Sequence, residues 1–326
     1  MNDTPKHILV SRNDAVGDVI LAFPVCGLIK EYFPDCKVSF LGRTYTREIA
    51  LSSTFVDNFV NQDELTHQSE DEGVAQLSKL NIDTVIFLRP DKSLARIAKK
   101  AGIKRRIGTA HRVYHWYTCN KLVRLSRKNS PLHEAQLNVK LLKGVNITRT
   151  LTLSEIPAYY GLKRIEPLMD EYRQMLSDDK FNLILHPKSH GNSLEWRLQN
   201  FTALIKKLDP AKFRIFVSGS RKENEILKSW IEEQGDRVIN ICGKLSLTQF
   251  ISFINSSDGL IAASTGPLHI AAASGIHALG LYTDIKTKDA GRWGPIGEKA
   301  EFLQCKHADM DTITVEMVYE KVTKWI

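Results

Sequence analysis

Residues 259–283 read GLIAASTGPLHIAAASGIHALGLYT, a run without Asp, Glu, Lys or Arg. By length alone it could span a bilayer. Pro267, His269, His277, Gly266, Gly275 and Gly280 argue against that. They divide it into a strand over 260–263, a turn, a helix over 267–273 and a strand over 278–282. Pro267 sits in the first turn of that helix, where its missing N–H does no harm. A strand–helix–strand unit of this kind belongs to a parallel sheet.

The same alternation continues on both sides. Upstream, strands are expected at 182–185, 214–218 (RIFVS) and 238–241, with helices over 198–208, 223–233 and 247–255; a last helix is expected over 315–325. Nearer the start, HILVS (7–11), KVSFL (37–41) and TVIFL (84–88) read as strands. Helices are expected from Gly17-Asp18 to about Tyr32, over 92–100 and over 133–142. Between the two series, 146–168 lacks a period and carries Pro157, Gly161 and Pro167, as a linker would. With 326 residues and 43% hydrophobic composition, the chain suits two α/β domains and excludes disorder. Ligands of such sheets bind at the carboxyl ends of the strands, so an interdomain cleft is expected.

Five scattered cysteines, without a CxxC pair, fit neither a disulfide framework nor a zinc ribbon. The first residues do not read as a signal peptide, and a cytoplasmic location is expected. The dinucleotide GxGxxG, the GxxxxGK[ST] loop, HExxH and GxSxG are all absent. His111, His115 and His133 lack metal-ligand spacing, so no metal is expected.

Charge is unevenly placed. Residues 89–128 hold thirteen Lys or Arg and one acid, Asp91, within a chain of net charge +8. Tyr114, Trp116 and Tyr117 lie inside this stretch. It reads as a surface for an anionic partner, or as a solvated basic face.

Four loops follow strands and could carry chemistry. In the first, Asn13–Asp18, Asp18 is either a general base or a helix N-cap. In the second, Ser264, Thr265, Gly266 and His269 form an anion cradle or an ordinary turn into a helix. In the third, His186–Asn192, Lys188 and Ser189 either contact phosphate or belong to a polar loop. In the fourth, after RIFVS, Glu223 either accepts from ribose hydroxyls or favours the first turn of its helix.

These sites, in this order and on these elements, resemble glycosyltransferase family 9, the ADP-heptose:lipopolysaccharide heptosyltransferase family. The carriers are GDVILAFPV (17–25), HPKSHGNSLEWRLQNF (186–201), FVSGSRKENE (216–225), residues 242–275, GLY (280–282) and RWGP (292–295). The resemblance implies a GT-B fold of two Rossmann-like parallel-sheet domains: 1–160 for the acceptor, 161–310 for the donor, and 311–326 a helix packing back on the N-terminal domain. It implies an inverting, metal-independent transfer of a heptose or related sugar from a nucleoside-diphosphate donor to a lipopolysaccharide core or similar anionic glycolipid. No cofactor is implied beyond the nucleotide-sugar substrate. Asp18 would be the base. Lys188, Ser189, Glu223, Ser264, Thr265, Gly266 and His269 would bind the donor. Arg89, Lys92, Lys104, Arg105, Arg106 and Arg112 would face the acceptor. Peripheral contact with the inner face of the cytoplasmic membrane goes with that reading; nucleic acid does not. Leu194 and Arg197 stand where the family's K-x-W-P motif has Lys and Pro, and Ser264 stands for its Asp. Those departures support an alternative, a non-catalytic nucleotide-sugar or glycan-binding protein of the same fold.

Overall fold

The computed structural model describes residues 4–67, 69–128, 130–189, 191 and 193–326. The chain divides after Arg164 into two compact units. In the first, β1 (His7–Ser11), β2 (Lys37–Gly42), β3 (Asn58–Asn61), β4 (Thr84–Phe87), β5 (Arg105–Thr109) and β6 (Lys121–Val123) form one sheet. Its order is β3-β2-β1-β4-β5-β6, and every pair is parallel. In the second, β7 (Phe181–His186), β8 (Phe213–Val217), β9 (Ile239–Asn240), β10 (Gly259–Ala263), β11 (His277–Tyr282) and β12 (Ala300–Gln304) do the same. The order there is β12-β11-β10-β7-β8-β9, again parallel throughout.

This order fixes where ligands can sit. In the first unit the chain leaves β1 toward β2 and β3, then returns to the other side of β1 as β4. The crossover loops after β1 and β4 diverge there and leave a crevice at their carboxyl ends. In the second unit the corresponding reversal lies between β7 and β10. Strands β1, β4 and β10 are buried along their whole length, and β7 in all but its first residue, as central strands covered on both faces must be.

The expected helix from Gly17 to Tyr32 is two helices, Val16–Ile20 and Phe23–Tyr32. Pro24 explains the break: it lacks the N–H that would bond the Ile20 carbonyl, and its ring crowds that carbonyl. The stretch 161–164, expected in the second domain, is tied to the first. Thr54 N donates to Gly161 O at 2.7 Å, and Arg164 Nη1 donates to Val56 O at 2.6 Å. The last helix, Val315–Val322, buries Val318 and Val322 in the core of the second unit, with Leu204 and Ile205. Trp196 Nε1 donates to Ile313 O at 2.8 Å just before it. Residues 311–326 therefore belong to the second unit, not to the N-terminal one, because their apolar stripe is used there. No described helix is long and apolar enough to cross a membrane.

Candidate functional sites at the two switch points

At the end of β1 the chain places Arg12, whose side chain is almost wholly buried. A buried guanidinium must be compensated, and here it is fully engaged. Its Nε donates to Asp14 Oδ1 at 2.7 Å, and its Nη1 to Glu134 Oε1 at 2.8 Å and Asn138 Oδ1 at 3.2 Å. Its Nη2 donates to Asp18 Oδ1. Arg127 closes the far side, with Nε on Glu134 Oε1 at 2.8 Å and Nη2 on Asn138 Oδ1 at 3.0 Å. Two guanidinium groups thus meet three carboxylates. The Asn138 amide is itself fixed to Leu21 O at 3.0 Å.

The carboxylates divide by position. Glu134 is buried, which opposes its ionisation, yet Arg12 and Arg127 outweigh burial and hold it at about 2. Asp18 goes the other way. Burial first, and then the charges of Asp14 and Glu134, outweigh the pull of Arg12 and leave it pushed up to about 6. It is the third position of helix Val16–Ile20, and the N-cap is Ala15, which makes no side-chain cap bond. The cap alternative for Asp18 is therefore not what the structure holds. Its side chain remains 17% exposed, and among the described residues only Oδ1 carries a hydrogen bond. An ionisable oxygen is presented at the carboxyl edge while its neighbour is clamped.

Loops from the adjoining strands reach the same place. Asn13 Nδ2 donates to Asp91 Oδ2 at 3.0 Å, linking the β1 and β4 loops. Arg89 lies beside Asp14, 3.8 Å from Nε to Oδ2. Lys92 opens the helix after β4, and Arg112 follows β5, so both stand at this edge with Arg89. Lys104, Arg105 and Arg106 do not. They lie at the start of β5, the opposite edge of the sheet from Asp18. Arg106 is moreover committed to the backbone, donating to Thr118 O at 2.7 Å and to Ile103 O. The basic stretch is therefore two separate groups of charge.

The second unit gathers its candidates at its own carboxyl edge. Glu195 organises the loop after β7. It accepts from Lys188 Nζ at 2.8 Å, from Ser189 N at 2.8 Å and from Ser189 Oγ at 3.0 Å. Burial opposes its ionisation, but the hydrogen bonds from Lys188 and Ser189 prevail and lower its pKa. His190 and Asn192 of this loop lie outside the described residues. After β10, Thr265 is the N-cap of helix Gly266–Ser274, and its hydroxyl makes no cap bond. Ser264 bonds the buried Tyr282 phenol, and His269 is buried one turn into the helix. Glu223 forms a capping box: Ser220 N donates to its Oε2 at 2.7 Å, and its own N–H donates to Ser220 Oγ at 3.2 Å. Its helix-terminal role is thus built, through Oε2. Gly243 draws the β9 loop onto this turn. It has φ +66°, and a Cβ there would lie 2.8 Å from Arg221 Cα.

Leu194 and Arg197 also find their places. Leu194 is exposed, and Arg197 Nη1 pairs with Asp311 Oδ2 at 2.9 Å. Neither supplies a charge to the loop after β7. Sequence reasoning missed Arg12, Glu134, Arg127 and Glu195. The signal for Arg12 was its place directly after a mainly apolar strand, at a carboxyl edge where an arginine that is buried needs acidic partners. Nothing in the sequence paired it with Glu134, 122 residues away.

Two six-stranded parallel sheets of this order, each with charged groups gathered at its switch point, define the class of fold, the GT-B architecture. The sequence profile of glycosyltransferase family 9 (heptosyltransferase) matches residues 74–322, and the chain belongs to that family. It is 24% identical over 300 residues to the lipopolysaccharide core heptosyltransferase OpsX of Haemophilus influenzae, covering 86% of this chain and 80% of that one. Among solved structures it resembles the glycosyl transferase family 9 protein of Veillonella parvula, with TM-score 0.82 and 17% identity over 99% of both chains. It also resembles E. coli heptosyltransferase WaaC with ADP, with TM-score 0.77 and 16% identity over 98% of this chain and 100% of that one.

Proposed function

We propose that this glycosyltransferase moves a heptose or related sugar from a nucleoside-diphosphate donor to a lipopolysaccharide core or similar anionic glycolipid, with inversion and without a metal. The observation that carries the reading is Asp18, a partly exposed carboxylate at the switch point of the first sheet, pushed up to about 6. In an inverting transfer, a base takes the acceptor hydroxyl proton as that oxygen attacks the anomeric carbon. The nucleoside diphosphate leaves from the opposite face. Asp18 is ionised at neutral pH, yet it is a stronger base than an ordinary aspartate.

The donor belongs at the switch point of the second sheet. Lys188 and the first N–H groups of helix Gly266–Ser274 meet the diphosphate. Membership of a heptosyltransferase family supports this assignment, as does the likeness to WaaC, whose solved structures carry ADP and ADP-2-deoxy-2-fluoro heptose. Arg89, Lys92 and Arg112 share an edge with Asp18 and suit an anionic acceptor.

A calorimetric screen against ADP-, GDP-, UDP- and TDP-sugars tests the donor assignment. A donor present at 100 times its dissociation constant stabilises the fold by about 2.7 kcal/mol. Binding of one of these, followed by its turnover, is expected. Binding without turnover on any anionic glycolipid acceptor overturns the enzymatic reading in favour of a binding protein.

A further inference from the structure

The basic stretch contains an apolar face that neither site uses. On the short helix Val113–Thr118, residues Val113, Trp116 and Tyr117 fall at i, i+3 and i+4, and so share one side. They are 69%, 64% and 54% exposed, whereas His115 and Thr118 on the other side are buried. Leu122, 42% exposed, lies on β6, an edge strand of the same sheet. Large apolar side chains concentrated in ten residues, and turned outward, require a reason.

Their surroundings supply one. Arg112, Lys121 and Arg124 flank the face in sequence, and all are exposed and make no ion pair among the described residues. The turn Lys140–Val145, which packs against β6, adds Lys140 and Lys143. The nearest acids in sequence are already used. Asp91 caps its helix at Leu94 N, and Glu134 is buried between Arg12 and Arg127. The indole of Trp116 has its one polar group satisfied within the chain, Nε1 donating to Ala110 O at 2.8 Å. It can therefore leave water without losing a hydrogen bond. An aromatic face with a cationic rim matches the headgroup level of an anionic bilayer, where Trp and Tyr rings settle and Lys and Arg meet lipid phosphates.

We propose that the outward face of helix 113–118, with Leu122 and the cations Arg112, Lys121 and Arg124, docks the first unit on an anionic phospholipid surface. The proposal rests on the reading that the acceptor is a glycolipid, and it names the surface from which that acceptor is taken.

The test is co-sedimentation of the full chain with vesicles of equimolar phosphatidylcholine and phosphatidylglycerol, against phosphatidylcholine alone. Binding to the anionic vesicles only is expected. Each cation near such a surface strengthens binding about fivefold, so Lys121→Ala with Arg124→Ala should weaken it roughly 25-fold. Val113→Ser with Trp116→Ser should weaken it at least about tenfold, and thermal unfolding of both variants checks that they fold. Binding that ignores Val113 and Trp116, or that is stronger for single-stranded RNA than for vesicles, overturns the proposal. ADP titration of the same variants separates the two readings. Vesicle binding without ADP affinity removes the donor assignment alone; ADP affinity without vesicle binding removes the docking face alone.

Discussion

Replacing Asp18 with Asn should make the first unit more stable while it disables transfer. In the fold Asp18 titrates at about 6, against an ordinary value of 3.8. At about 1.4 kcal/mol per tenfold, keeping it ionised at neutral pH costs on the order of 3 kcal/mol. The sign follows from the direction. A raised pKa means that the folded chain holds the proton more tightly than the unfolded one. The stability this confers is complete below about pH 4 and is lost as pH rises through about 6. Asn has no charge to desolvate, so at about pH 7 the variant should exceed the wild type by about 3 kcal/mol, and the two should converge near pH 4. Because two units are present, a single melting temperature would mix their transitions. Amide exchange of peptides from β1 and β4 under increasing urea reports on the first unit alone. A variant less stable than the wild type at neutral pH, or an advantage that does not change with pH, refutes the reasoning that burial beside Asp14 and Glu134 governs this carboxylate.

The same network predicts the opposite for Glu134. Held at about 2, it contributes stability above its ordinary 4.5 that is lost as pH falls, so Glu134→Gln should destabilise the first unit by about 3 kcal/mol at neutral pH; equal urea midpoints would contradict this. In the second unit, Lys188→Ala should weaken ADP binding by roughly tenfold or more. Glu195→Gln, which releases Lys188 from its ion pair, should strengthen it several-fold; calorimetry that finds both variants unchanged leaves Lys188 structural. Charge reversal at Lys104 should not alter the acceptor Michaelis constant, whereas reversal at Arg89 should raise it, with the effect shrinking at high salt. Gly243→Ala should lower the stability of the second unit by about 1–3 kcal/mol, read by amide exchange of peptides from β7 and β10 under increasing urea, because a Cβ would meet Arg221.

The architecture was largely legible because its central strands are continuous apolar runs, and such runs followed by small-residue turns have one common solution. Strands β3, β5, β6 and β12 were not read. NFVN, RRIGT and KLV are short and polar, and they form strands only because a neighbour already offers a ladder. The loops after β1, β7 and β10 could be read because the switch-point rule selects them. Their internal pairing could not. Arg12 and Glu134 are far apart in sequence, and Glu195 faces Lys188 only through the turn between them. The basic stretch misled for the same reason. Counting charge along the chain ignores that β5 separates Lys104, just before it, from Arg112, beyond its far end, so a single block of sequence became charge at both edges of the sheet.

The most direct test of the central claim is the transfer rate of Asp18→Asn, measured with whichever nucleotide-sugar the donor screen selects. With Asp18 as the base, turnover should fall by about 10²–10⁴-fold while donor affinity stays near that of the wild type. The wild-type rate should rise with pH through about 6, in step with ionisation of Asp18. A variant that turns over within a few-fold of the wild type would show that the proton is taken by another group.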